Sequence, residues 1–135
     1  PTGCRSQNRM KARCRMKAPD FVVIKGKLPS LNEYIEAERT NRYKAAKMKK
    51  EAEELIFWQI KQMKPIKSKI RIKFTWYEEK KRRDPDNVAF AKKFILDAMQ
   101  KTGKLKNDNP AWIAGFTDDF VYGNGQGVLL EITEV

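Results

Sequence analysis

Residues 66–77 carry the pattern that most restricts how this chain can fold. Apolar and basic side chains alternate through most of this stretch, so one face is apolar and the other is cationic. The apolar face contains Ile66, Ile70, Ile72, Phe74 and Trp76, and the other contains Lys67, Lys69, Arg71, Lys73 and Thr75. A period of two is typical of a β-strand, because successive side chains lie on opposite sides of the sheet. The pattern therefore predicts a strand with one face on a core and one facing water or phosphate.

Two more strands and one helix are predicted from similar patterns. The β-branched run at 21–24 predicts a first strand, and alternation across 128–133 predicts a last one. Between about 42 and 63 the apolar residues recur every 3.6 positions, which indicates an amphipathic helix that Pro65 ends. The segment 32–41 stays ambiguous, since Pro29 before it favours a turn or extended chain.

A second helix is predicted between Asp84 and Gly103. Asp84 or Asp86 can cap its start, Pro85 suits its first turn, and Gly103 suits the position after its end. At about 100° per residue, two faces separate. One face would pack on the sheet and contains Val88, Ala91, Ile95, Ala98, Met99 and Thr102. The opposite face contains Asp86, Phe90, Lys93 and Asp97.

The remaining segments complete a β-α-β-α-β-β order. We expect a loop over 104–110, a strand around 112–116 and a hairpin connection at the glycine-rich 123–127. This order predicts an α+β fold, with a mixed sheet and two helices in one compact domain. A length of 135 residues suits one domain, which we assign to 20–135. Residues 1–19 are expected to be a basic disordered arm or a leader that is not native.

The balance of charge points to a polyanionic partner. The chain has 29 Lys and Arg against 17 Asp and Glu, which gives a formal net charge of +12. Residues 1–19 contain six basic side chains and no acid, which suits an arm that follows a phosphate backbone. A second basic run approaches and enters the helix at 42–63. It is either a solvated helix face or a surface for DNA, and it contains Arg39, Arg42, Lys44, Lys47, Lys49 and Lys50.

Composition removes several classes of function. The chain has no histidine, so histidine-based catalysis and histidine metal sites are excluded, and carboxylates remain for catalysis. Cys4 and Cys14 both lie in the N-terminal segment without the partners of a zinc site, so the domain body cannot contain a disulfide. No apolar run approaches the ~20 residues of a membrane span, and no signal peptide is recognised. We expect a cytoplasmic protein.

Two aspartates interrupt the basic run that follows the alternating strand. Asp84 and Asp86 are one residue apart and form a compact pair of oxygen ligands for a divalent cation. The alternative is that they only cap the helix and complement its dipole. A third acid, Asp108, follows the helix and joins them only if the fold returns its loop toward the helix start. The basic residues before the pair, which would suit a phosphate, are Lys81, Arg82 and Arg83.

These residues together resemble the motif of the RusA family of Holliday junction resolvases. The resemblance rests on the residues 82–87, on Lys93 with 97–99, on Gly103 and on 107–108, which read Arg-Arg-Asp-Pro-Asp-Asn, Lys, Asp-Ala-Met, Gly and Asn-Asp. The sequence at 28–32, Leu-Pro-Ser-Leu-Asn, is also similar to the family's Pro-Ser-x-Asn turn after its first strand. The resemblance covers residues 21–135.

The resemblance implies a RusA-like, metal-dependent endonuclease of bacterial or phage origin. It would act as a homodimer that resolves four-way DNA junctions by paired nicks. Asp84, Asp86 and Asp108 match the family's three metal-binding catalytic aspartates, with Mg²⁺ as the expected ion and Mn²⁺ as an alternative. Asn107 stands where the family has another acid, so one carboxylate is absent.

The resemblance also implies roles for the basic residues. Lys93, four positions before Asp97, matches the family's catalytic helix lysine, whereas its neighbour Lys92 lies off the stripe of Asp86. Arg83 matches the basic residue before the acids and is expected to hold the scissile phosphate. The expected DNA-binding set is Lys81, Arg82, Arg83 and Lys93.

Other interpretations stay open. The chain could cut branched or flap DNA without preferring junctions, or bind DNA or RNA as a basic module without cutting it. Asp118 and Asp119 are expected to form a turn or strand-end pair, with a catalytic role as the alternative. The aromatic residues that could stack on bases, or else belong to the core or an interface, are Phe90, Trp112 and Trp76.

Overall fold

Four strands and four helical segments make up residues 20–135, the part of the chain that the computed structural model describes. The strands are β1 (Asp20–Lys25), β2 (Ile70–Glu78), β3 (Ile113–Tyr122) and β4 (Gly127–Glu134). The helices are α1 (Leu31–Thr40), α2 (Arg42–Ile60), α3 (Pro85–Ala89) and α4 (Lys92–Lys101). The predicted α+β class is confirmed. The helix predicted over about 42–63 forms as α2, whereas the helix predicted between Asp84 and Gly103 is divided into α3 and α4. The predicted basic arm, with both cysteines, lies outside the described residues.

The alternating stretch forms β2 at the centre of the mixed sheet. The strand order is β1-β4-β2-β3, in which β4 pairs antiparallel with β1 and β2, and β3 pairs parallel with β2. The predicted apolar face is confirmed, because Ile72, Phe74 and Trp76 are almost completely buried while Arg71 on the other face is exposed. β2 begins at Ile70 rather than at residue 66.

The hairpin prediction for 123–127 is wrong. β3 and β4 lie on opposite sides of β2, so this segment crosses the end of β2 instead of joining two paired strands. Its contacts are with that strand end, where the Gly123 N–H donates to the Glu78 carbonyl at 2.9 Å. A glycine-rich turn signals a change of direction, but it carries no information on which strand becomes the next neighbour.

The ambiguous segment after Pro29 forms α1. Ser30 caps it, since its Oγ accepts from the Glu33 N–H at 3.2 Å and Glu33 Oε1 accepts from the Ser30 N–H at 2.8 Å. This reciprocal pair is a capping box, which satisfies two backbone donors at a helix start. Asn41 then ends α1 and caps α2 by accepting from the Tyr43 N–H at 2.8 Å.

The predicted second helix is interrupted between α3 and α4. The N–H groups of Ala91, Lys93 and Phe94 each donate to the carbonyl three residues earlier, which is the tighter pattern of a 3₁₀ turn. Phe90 lies at this turn and packs against the core, with its ring 5.8 Å from Tyr34 and 5.4 Å from Phe94. Its expected place on the outward face, beside Lys93 and Asp97, is therefore wrong.

The helices cover one face of the sheet and enclose the core. Ile56 and Ile60 of α2 and Ile95 and Met99 of α4 are fully buried in the same cluster as the inward side chains of the sheet. Burial of side chains of this size stabilises the fold by about 1.5–3 kcal/mol each. Within residues 20–135, no helix combines the length and the apolar character needed to cross a membrane.

Candidate active site

The start of α3 places Asp84 and Asp86 at the surface. Pro85 occupies the first helical position, and the N–H groups of Asn87 and Val88 donate to the Asp84 carbonyl oxygen, both at 3.0 Å. Asp84 is the N-cap residue, yet its side chain makes no capping hydrogen bond. The backbone of Asp84 therefore caps the helix, whereas its carboxylate takes no part in the cap.

The loop after α4 presents Asp108. Gly103 has a φ of +76°, which suits glycine, and the Lys104 N–H donates back to the Met99 carbonyl at 2.8 Å. Buried Leu105 anchors the loop to the core. Asn107 Oδ1 accepts from the Asn109 N–H at 3.0 Å, so this amide stabilises the turn that contains the exposed Asp108.

The three acids predicted as metal ligands have no side-chain partners within residues 20–135, and we call such acids uncommitted. Asp84, Asp86 and Asp108 are exposed, and their side chains have no ion pair or hydrogen bond with any residue in 20–135. Two other aspartates differ, because Asp97 within α4 and Asp118 within β3 both have lysine partners.

The structure does not assemble the three acids into one ligand group. Among the described residues, no three Asp, Glu, His or Cys side chains are grouped so that they could hold a metal ion. The donor type suits Mg²⁺, which prefers carboxylate oxygens, but a site also requires its donors within one coordination sphere. Asp84, Asp86 and Asp108 are thus not grouped as one ligand set in this arrangement, and their role as metal ligands stays a prediction.

Lys93 and Lys92 are neighbours with different surroundings. Lys93 is exposed, and its Nζ lies 3.9 Å from Asp97 Oδ2, which is also 3.8 Å from Lys49 Nζ. Lys92 Nζ donates to Asp118 Oδ2 at 2.8 Å and lies above aromatic rings, so it is held within the protein. Lys93 is therefore the neighbour whose charge faces solvent, and its catalytic role stays a prediction.

The expected DNA-binding residues before the acids fall into two groups. Arg82 is exposed and has no partner within residues 20–135, while exposed Lys81 lies 5.6 Å from the ring centroid of Tyr122. Arg83 is different, because its guanidinium binds Glu78 and Glu33 and is mostly buried. The first two cations are open to a ligand, whereas Arg83 is already occupied by protein groups.

Asp118 and Asp119 lie within β3, not at a strand end as predicted. Asp118 Oδ1 accepts from Trp76 Nε1 at 2.9 Å, and its other oxygen binds Lys92. Asp119 lies 3.3 Å from Lys73 on the opposite face of the sheet. Both acids are matched to lysines by the fold, so their arrangement gives no support to the catalytic alternative.

The candidate stacking aromatics belong to the core. Trp76 is 2% exposed and stacks on Phe74 with ring centroids 5.4 Å apart. Phe90 and Trp112 are partly buried against the same cluster.

The residue that the sequence did not reveal is Glu78, which is buried at the end of β2 beside Arg83. The sequence signal that could have pointed to this ion pair is an acidic residue five positions before Arg83.

No protein-family model matches this chain, and no curated protein matches it. The resemblance to RusA resolvases therefore rests on the motif residues themselves.

Proposed function

We propose that this protein is a Mg²⁺-dependent endodeoxyribonuclease that hydrolyses phosphodiester bonds in branched DNA, with four-way junctions as its preferred substrate. The observation that carries the proposal is the set of exposed, uncommitted carboxylates at Asp84, Asp86 and Asp108 in a strongly basic chain. These are also the acids on which the resemblance to the resolvase motif rests.

Exposed cations beside the acids support a DNA substrate. Lys81 and Arg82 precede Asp84 along the chain, and Lys93 lies in the first turn of α4 with its charge toward solvent. In the proposed function they bind backbone phosphates, which fixes the position of the DNA without reading its bases. Junction preference would come from the shape and charge of a homodimer that places two sites on one junction.

The proposal requires a rearrangement of the acids. Because the described residues contain no grouped set of three acids, Asp108 must come within range of the start of α3 when Mg²⁺ and DNA bind. No step of hydrolysis is derived from the present arrangement.

The lack of a grouped set of three acids among the described residues favours a second candidate, a basic DNA-binding module without nuclease activity. Such a module would need the exposed cations but no grouped acids. It would bind junctions equally well with or without Mg²⁺ and would never nick them. An endonuclease for branched or flap DNA that does not prefer junctions would instead cut a flap and a four-way junction at similar rates.

The test is cleavage of a synthetic four-way junction, with a matched flap and a linear duplex, in Mg²⁺ and in Mn²⁺. Asp84→Asn should reduce junction cleavage by at least about 100-fold while junction affinity is retained, since the change removes a ligand and no phosphate contact. Asp119→Asn is the matched control, because it makes the same change at an exposed acid within β3. Unchanged cleavage by Asp84→Asn, or no cleavage by the native protein in either ion, rejects the proposal.

A further inference from the structure

The guanidinium of Arg83 is surrounded by protein oxygens. Its Nε and Nη2 donate to the two carboxylate oxygens of Glu78 at 2.9 and 2.7 Å, and Nη1 donates to the Leu28 carbonyl at 2.9 Å and to Glu33 Oε1 at 3.2 Å. An arginine has five N–H donors, and these four hydrogen bonds use all but one. The side chain is only 14% exposed.

The partners of Arg83 come from distant parts of the chain. Glu78 ends β2, its side chain is 7% exposed, and it accepts a third hydrogen bond from Gln126 in the segment before β4. Leu28 and Glu33 flank the capped start of α1. Arg83 thus joins three segments at one point, and it directly precedes Asp84 in the chain.

The surroundings of Arg83 are unsuited to a phosphate. A guanidinium binds a phosphate through a pair of parallel N–H groups, and the pair formed by Nε and Nη2 is already used by Glu78. Two carboxylates, from Glu78 and Glu33, contact this one cation, so the local charge repels a further anion. Contact with DNA would require at least one of these ion pairs to break.

We propose that Arg83 is a positioning residue, which through its ion pair with Glu78 fixes the start of α3 and the direction of its two aspartates. It does not hold the scissile phosphate, and this role in cleavage rests on the proposed nuclease function. The side chains of Asp84 and Asp86 form no hydrogen bond or ion pair within 20–135, so the Arg83 anchor beside them sets where they lie. Removing either partner would leave the other charge buried and would release the loop.

The experiment compares four variants of the full chain: Arg83→Gln, Arg83→Lys, Glu78→Gln and the double variant Arg83→Gln/Glu78→Gln. Arg82→Gln is the matched control, because Arg82 is an exposed arginine beside the same acids. Each protein is assayed for thermal unfolding, for junction affinity as a function of KCl, and for single-turnover junction cleavage in Mg²⁺.

Positioning predicts that Glu78→Gln, which touches no DNA, reduces cleavage by about 10-fold or more, as Arg83→Gln does, because small displacements of reacting groups are costly. The double variant should be no slower than the slower single one, since the pair acts as one unit. The slope of log affinity against log salt should stay unchanged for these three variants. It should fall by about one phosphate contact for Arg82→Gln.

Arg83→Lys separates the two roles even if the glutamine variants fail to fold. Lysine keeps the charge that a phosphate needs but cannot form the forked pair with Glu78. Positioning predicts slow cleavage by Arg83→Lys with native affinity, whereas phosphate binding predicts cleavage near the native rate.

The proposal is overturned if Arg83→Gln lowers the salt slope as Arg82→Gln does while Glu78→Gln cleaves normally. If the native protein cuts no junction, the nuclease proposal fails, and with it the role of Arg83 in cleavage. In that case the salt slopes still decide whether Arg83 contacts phosphate.

Discussion

The aspartates at the start of α3 and in the loop after α4 differ from those within α4 and β3 in what the fold provides for them. Asp84, Asp86 and Asp108 point into solvent without cations in the described part of the chain, whereas Asp97 and Asp118 are paired with lysines. Both sets have the same chemistry, so residue type does not distinguish them. The difference teaches that a carboxylate is available for a ligand only where tertiary packing has not already neutralised it.

The sharpest way to break this comparison is Asp108→Asn. We expect at least about 100-fold slower junction cleavage with an unchanged melting temperature, because Asp108 is exposed and has no partner within 20–135. Cleavage and thermal unfolding are measured on the same preparation. Normal cleavage would restrict the site to Asp84 and Asp86 and remove Asp108 from it.

Asp118→Ala tests the committed set. The change leaves the half-buried Lys92 without its partner and the Trp76 indole N–H without its acceptor. We expect the free energy of unfolding to fall by about 2–3 kcal/mol, measured by urea denaturation. Asp119→Ala is the control and should cost less than about 0.5 kcal/mol, since its pair with Lys73 is exposed. If Asp118→Ala and Asp119→Ala lowered the free energy of unfolding equally, burial would not distinguish the contributions of these two acids.

Glu53 extends the comparison to a buried acid with one cation. Lys101 Nζ donates to Glu53 Oε1 at 2.7 Å, and this hydrogen bond raises the pKa of Lys101, while Glu53 Oε2 has no partner within the described residues. Lys101→Met should destabilise the fold by about 1–2 kcal/mol, because it leaves a buried carboxylate unpaired. The double variant Lys101→Met/Glu53→Met should recover that loss, and no recovery in urea denaturation would contradict this explanation.

Glu33 gives the smallest expected effect. Burial acts to raise the pKa of Glu33, but hydrogen bonds from Ser30 and the charges of Arg83 and Lys27 outweigh it and lower the pKa below its ordinary 4.5. The ionised form therefore stabilises the fold above pH 4.5, and this contribution is lost as the pH falls through the lowered pKa.

Glu33→Gln isolates that charge, because glutamine can keep the capping box. We expect it to be less stable than the native protein by under about 1 kcal/mol at pH 7, since Glu33 is half exposed. The difference should shrink below pH 4.5. A difference that is constant from pH 3 to 7 in urea denaturation would contradict the lowered pKa.

Local patterns predicted much of the fold. The period of two in β2 and the period of 3.6 in α2 are set by the geometry of each element and by one shared core. The start of α1 was missed although Ser30 and Glu33 have the spacing of a capping box, because Pro29 suggested a break. The order of strands was missed at 123–127, since pairing across β2 depends on contacts far apart in sequence.

The sequence alone determined roughly where the four strands and α2 lie, which face of β2 packs on the core, and that acids stand among basic residues at the start of α3. Only the tertiary structure decided which charges are matched, as when Glu33, 50 positions away, meets Arg83. The physical reason is that periodicity and proline or glycine geometry act over a few residues. Neutralisation of a charge depends instead on whichever side chains the packed core brings within a few ångströms.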